Sequence, residues 1–237
     1  MTNELWVLSG AAVSVAFVHT LSGPDHYLPF VAMAKARGWS KRKTLKVTLI
    51  CGGGHLAGSV ALGVLGIVLG IQLSALEWME SVRGNFAAWL LIGFGLAYTA
   101  WGLRQAYRNR PHTHWHSHDG LTHTHVHSHH QDHAHVHEKA GNTKTMMPWV
   151  IFVIFVLGPC EPLIPLLMYP AARESLAGVL MVTSVFGVVT VLTMTMVVAL
   201  AVAGLDSIKL KRYERYGHAI AGSALLACGL GVAFLGV

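Results

Sequence analysis

The chain has 237 residues, a mass of 25.6 kDa, a formal net charge of +6 and a mean hydropathy of +0.51. Apolar residues make up 53% and charged residues 12%, about half the charged share of a soluble domain, so charge cannot cover the surface and lipid must. That excludes a soluble single domain, a disordered chain and a basic nucleic-acid-binding protein, and three dispersed cysteines exclude a disulfide framework.

A membrane-spanning helix needs about 20 mostly apolar residues. In chain order six segments qualify: 5–34, 47–71, 85–106, 147–171, 175–204 and 216–237. The first lacks the basic leader of a cleavable signal peptide and is read as a true span. It is long, and Gly23-Pro24 interrupts it; the fourth carries Pro159, Pro162 and Pro165. Proline removes a backbone donor and kinks a helix. Within a bilayer that is tolerated only where other groups re-satisfy the backbone or where it lines a cavity.

Lys and Arg are distributed over the non-spanning stretches as 0, 6, 1, 5, 1, 4 and 0. The basic loops hold Lys35, Arg37, Lys41, Arg42, Lys43 and Lys46; then Arg104, Arg108, Arg110, Lys139 and Lys144; then Lys209, Lys211, Arg212 and Arg215. The sparse loops hold Arg83 and Arg173. The alternation predicts cytoplasmic first, third and fifth loops and outward termini, in a multi-pass protein of the cell's inner (plasma) membrane. The positive net charge is then topological, and nucleic acid is not a partner.

Gly23-Pro24-Asp25-His26 reappears as Gly158-Pro159-Cys160-Glu161, 135 residues later. The same offset aligns Val47-Thr48 with Val182-Thr183, Gly52 with Gly187, His55 with Thr190, and Leu90-Leu91 with Leu225-Leu226. The expected fold is therefore an all-α polytopic membrane protein of six transmembrane helices. Residues 1–106 form a first three-helix repeat, 107–146 a histidine-rich cytoplasmic loop, and 147–237 a second repeat, with helices 1 and 4 broken. Three spans per half make the repeats inverted, and broken helices at corresponding positions point to a transporter's central site.

Of 11 acidic residues, the predicted spans place only Asp25 and Glu161 deep in the bilayer, where a charge costs about 2.5–3.5 kcal/mol on insertion scales. His26 is adjacent to Asp25 and lies seven residues from His19, on one face of a regular helix. His55 follows a Gly52-Gly53-Gly54 run and precedes Gly58, small residues that allow close helix approach. Imidazole and carboxylate together suit nickel, cobalt, zinc or copper rather than calcium or magnesium. His19, Asp25, His26 and His55 are the candidate metal ligands of the first half, with Cys160 and Glu161 from the second. Blander readings stay open: His55 as a packing residue, Asp25 and His26 as a proton relay, Cys160 as a small residue at a tight break. Thr183, Ser184, Thr190, Thr193 and Thr195 read as hydroxyls that bond back to their own helix.

Twelve of the 16 histidines lie in one tract: His112, His114, His116, His118, His123, His125, His127, His129, His130, His133, His135 and His137. The tract cannot build a core, so disorder without metal is expected. Neutral imidazoles carry free lone pairs, and many weak sites on one segment hold ions near a pore mouth. The tract reads as an accessory metal-binding loop, with a pH-sensing or merely solvating role as its rival.

His19 followed by Gly23-Pro24-Asp25-His26 resembles the signature of the NicO and UreH-like nickel/cobalt transporters, relatives of the NiCoT permeases. The His-x5-Asp-His spacing here is one residue longer than the permease motif, and Ser22-Gly23 stands where that motif has a further Asp. Three spans, a long histidine-rich loop and three more resemble the RcnA-type efflux permeases over nearly the whole chain. Gly158-Pro159-Cys160-Glu161-Pro162 is similar to the second-half motif of UreH-like and LysE-type membrane proteins. The resemblance implies a nickel or cobalt transporter, not an enzyme, with no tightly bound cofactor. Nickel, cobalt or zinc would be its cargo and the lipid bilayer its surroundings, and the cytoplasmic tract favours export; Asp25 or Glu161 is the group that could exchange protons against the metal, since metal binding releases protons from ligands. Three rivals remain. A LysE-type exporter of a small anion or sulfur compound would need basic groups at midplane. A CcdA-type thiol-disulfide electron carrier would need a cysteine at each break, and Asp25 occupies the first. A metal sensor would use the tract alone.

Overall fold

Five helices among the described residues are long and apolar enough to cross a membrane: Asn3–Ser22, Lys41–Leu69, Leu73–Tyr107, Leu176–Leu205 and Gly217–Leu235. They belong to a computed structural model that describes residues 2–108, 112–118, 121–127, 147–172, 175–206 and 215–235. The elements are α1 (Thr2–Ser22), a 3₁₀ turn (Pro24–His26), α2 (Leu28–Arg37), α3 (Lys41–Leu69) and α4 (Leu73–Tyr107). Strands β1 (His112–His118) and β2 (Leu121–His127) follow, then α5 (Met147–Leu157), α6 (Leu163–Ala172), α7 (Leu176–Asp206) and α8 (Gly217–Leu235).

Local chemistry sets the breaks. The first predicted span divides at Gly23-Pro24 into α1 and α2, and the fourth divides at 158–162 into the short helices α5 and α6. Gly38, at φ 58° and ψ 44°, ends α2 in the left-handed region. Two residues later Ser40 caps α3, its Oγ accepting the Lys43 N–H at 3.3 Å. Gly70, at φ 64°, closes the far end of α3 in the same way.

The exterior is apolar, as lipid demands. On α7, Leu180, Val188, Leu192, Met196 and Leu200 are exposed at helical spacing, while Val182, Phe186, Thr190, Met194 and Val198 on the other side are buried. Inside, α1 lies against α7, and α5 and α6 lie against α3; α2 meets α7 and α8, and α4 runs along α8. That last contact depends on small residues. A β-carbon on Gly95 would strike the Leu226 backbone, on Gly102 the Ala219 backbone, and on Gly222 the Thr99 backbone.

Two expectations need correction. The third span does not start at residue 85: α4 begins at Leu73 and carries Glu77, Glu80 and Arg83 within it. Glu80 is wholly buried within α4, whereas Asp25 lies in the 3₁₀ turn and Glu161 in an exposed turn after α5, and Arg83 is a helix residue rather than a loop residue. Disorder is the expectation for the histidine tract, yet β1 and β2 pair antiparallel, with His112 opposite His127, His114 opposite His125 and His116 opposite His123. His129, His130, His133, His135 and His137 lie outside the described residues.

Candidate metal site

Three imidazoles converge where α1 ends. His19 comes from the last turn of α1, His26 from the 3₁₀ turn, and His55 from the middle of α3. One ring nitrogen from each lies within 4.8 Å of the others, a spread that small ring rotations would close onto one metal ion, whose nitrogen ligands lie at most about 4.2 Å apart. The rings are edge-to-face, with centroids 4.8 Å apart for His19 and His26 and 5.2 Å for His26 and His55. The Gly-Pro break makes this convergence possible, because it turns His26 away from the path of a continuous helix and back toward His19.

The outer nitrogens of two rings are fixed by backbone carbonyls. His55 Nδ1 bonds Phe155 O at 3.2 Å, and His26 Nδ1 bonds Gly23 O at 3.2 Å and Asp25 Oδ1 at 3.0 Å. A carbonyl only accepts, so Nδ1 carries the proton in both rings and Nε2 of the neutral ring holds a lone pair. The Nε2 atoms of His19, His26 and His55 are all buried without a hydrogen-bond partner among the described residues. Buried nitrogens normally find partners. The three that do not belong to one cluster, and in His26 and His55 the other nitrogen is held by a backbone carbonyl, the arrangement of metal ligands supported from behind.

Space at the site is set by the two glycines of the Gly-Pro pairs. A β-carbon on Gly23 would stand 2.6 Å from His26 Nδ1, and one on Gly158 would stand 3.1 Å from His55 Nδ1. A cavity of about 30 Å³ borders the cluster, with Asp25, His26 and His55 on its polar side and Ala88, Leu91 and Val232 among its apolar walls. That volume matches about one water or one ion.

The remaining candidates take other places. Asp25 adjoins the cluster through His26 Nδ1, 3.0 Å from its Oδ1, and is not one of the three grouped residues. Cys160 is buried among Ala12, Ala16, Leu163, Val182 and Phe186, and its backbone N–H donates to Glu80 Oε2 at 3.2 Å. Glu161 is exposed in the turn beside it. Neither joins the three-histidine group. Cys51, Cys160 and Cys228 are all buried and free. Thr195 bonds back to Val191 O at 2.6 Å, as read for the hydroxyls of this helix, whereas Thr183 and Thr190 have buried hydroxyls without a partner among the described residues.

Sequence reasoning missed Glu80, Arg83 and Ser59. Arg83 Nη2 donates to Glu80 Oε2 at 2.9 Å, to Gly158 O at 3.0 Å and to Ser59 Oγ. The available signal was the i, i+3 spacing of opposite charges in an otherwise apolar helix. An anion exporter lacked a basic group within the spans, and Arg83 now supplies one, but Glu80 and the Gly158 carbonyl already engage its Nη2. Comparison with protein-family models, with curated proteins and with solved structures finds no match.

Proposed function

We propose that this multi-pass membrane protein carries a divalent transition metal ion, with His19, His26 and His55 as the ligands of a central site. The observation that carries the proposal is that one ring nitrogen from each of these histidines lies within 4.8 Å of the others, and that each ring buries an Nε2 with no hydrogen-bond partner among the described residues. Three imidazoles favour nickel, cobalt, zinc or copper over hard cations. Asp25 adds charge beside His26, which orients the ring and raises its basicity toward metal. The resemblance of His19 and Gly23-Pro24-Asp25-His26 to the NicO and UreH-like signature places nickel and cobalt first among the cargoes.

The six-span, two-repeat plan has structural support. The broken helices α1 and α5 pack on α7 and α3 respectively, and α2 and α6 meet α7 and α3, so exchanging the halves preserves these contacts. Two such halves provide alternating access around a site at the breaks. The alternation of basic loops puts both termini outside the inner membrane and the histidine tract in the cytoplasm, where it gathers ions for export. Metal entry displaces a proton from any of these rings that is protonated beforehand, which couples the cargo to protons.

Vesicles containing the purified protein should transport at least one of nickel, cobalt, zinc and copper. His26→Ala and His55→Ala should abolish that flux while the proteins still insert. Normal flux in both variants overturns the site. Accumulation of the same four metals in expressing cells gives the direction. A proton current without metal flux would favour the relay reading, for which the edge-to-face stack of the three rings is the observation.

A further inference from the structure

We infer that Glu80 and Arg83 are positioning residues for this site: from α4 they grip the second helix break, and through it they aim His55. The inference rests on the metal-site reading above. Glu80 is wholly buried, and its Oε2 accepts from Arg83 Nη2 at 2.9 Å, from the Cys160 backbone N–H at 3.2 Å and from Ser59 Oγ at 3.4 Å. Arg83 Nη2 donates in turn to Gly158 O at 3.0 Å. One ion pair therefore satisfies a backbone acceptor and a backbone donor two residues apart, both left open where α5 stops.

The surroundings are shaped for this grip. A β-carbon on Gly58 would lie 3.0 Å from Arg83 Nη1 and 2.8 Å from Val156 O, and one on Gly84 would lie 2.6 Å from the Pro159 ring. The gripped turn is the turn that holds the imidazole. Gly158 N–H donates to Phe155 O at 3.0 Å, and the same carbonyl takes the Nδ1 proton of His55 at 3.2 Å. Gly158 itself lies against that ring, as the 3.1 Å approach of its β-carbon position to His55 Nδ1 requires.

A buried charge pair is a poor filler, since apolar side chains of similar volume are often equally stable or better. What it adds is direction: ionised donors and acceptors make the strongest and most oriented hydrogen bonds. Here they fix the peptide planes at Gly158 and Cys160, and hence the carbonyl that sets the tautomer and tilt of His55.

Cobalt(II) absorption of the purified full chain in detergent tests this, because the visible bands report ligand geometry in the folded, loaded fraction. Native protein should give such bands. Glu80→Gln should shift them and weaken cobalt binding on the order of tenfold, as loss of a supporting partner does. The doubly neutral variant Glu80→Gln/Arg83→Gln leaves no unpaired charge and should show the same shift. Ser59→Ala, which removes a partner of the pair and no charge, should shift the bands in the same direction by less. Exposed Glu77→Gln should leave them unchanged. Native bands and native affinity in the folded double variant and in Ser59→Ala overturn the inference and leave the metal site standing. No cobalt bands in the native protein overturn both.

Discussion

Gly23 has φ −87° and ψ 98°, dihedrals that any residue adopts, yet a β-carbon there would sit 2.6 Å from His26 Nδ1 and 2.8 Å from Asp25 Oδ1. The glycine answers to the site and not to the backbone. Gly23→Ala should therefore displace the His26 ring and lower nickel affinity at least about tenfold, ~1.4 kcal/mol, by titration calorimetry. Gly53→Ala, whose β-carbon would meet nothing within 4 Å, should bind as the native protein does. Asp25→Asn keeps an acceptor for His26 Nδ1 and loses only the charge. Its affinity should fall by about 10–100-fold, the range for second-layer partners of metal ligands, and stay above that of His26→Ala. Equal loss in the two variants would make the Asp25 carboxylate itself a ligand. At this scale the sequence was informative where residue type carries the chemistry: His19, Asp25, His26 and His55 stand out as polar groups in apolar runs. The partners that orient them were hidden, because Phe155 O and Gly23 O are backbone atoms that any residue would supply.

Hydropathy locates most of the helices because lipid imposes a minimum apolar length. It fails at the start of α4. Glu77, Glu80 and Arg83 each lower the local hydropathy as if exposed, although Glu80 and Arg83 pair at 2.9 Å and Glu80 is wholly buried. A window average adds charges singly and cannot register that two of them cancel. The Pro-rich fourth span was legible as a broken helix for the opposite reason, since each proline removes its own N–H whatever surrounds it. The seam between α4 and α8 offers an element-scale prediction. Gly222→Val would drive side-chain atoms into the Thr99 backbone, and Gly95→Val into that of Leu226. Each should cost about 1–3 kcal/mol of stability, the overpacking range, read as a lowered Tm in detergent. Gly93→Val, on the same helix with nothing within 4 Å of its β-carbon position, should leave the Tm unchanged. If all three variants melted alike, the seam would not depend on close backbone approach.

The molecule as a whole has two separate concentrations of histidine. The three-ring site is assembled from α1, the 3₁₀ turn and α3, and is braced by α4 and α5. The tract holds β1 and β2, whose principal contacts are with each other. Nothing in the construction of the site passes through the hairpin, so the two should be separable. Replacing residues 112–137 with a short Gly/Ser linker should leave one tight nickel site in the purified protein and remove the weaker ones. Flux at saturating nickel should be retained if the proposed site among the helices sets turnover. The half-saturating concentration should rise, because a cluster of weak sites raises the local ion concentration only when bulk metal is scarce. Measured as flux against nickel concentration in vesicles loaded from the tract's side, the deletion would move the curve to higher concentration at constant plateau. A collapse of the plateau would instead make the tract an obligate step on the path, and the ions would have to pass through it to reach His19, His26 and His55.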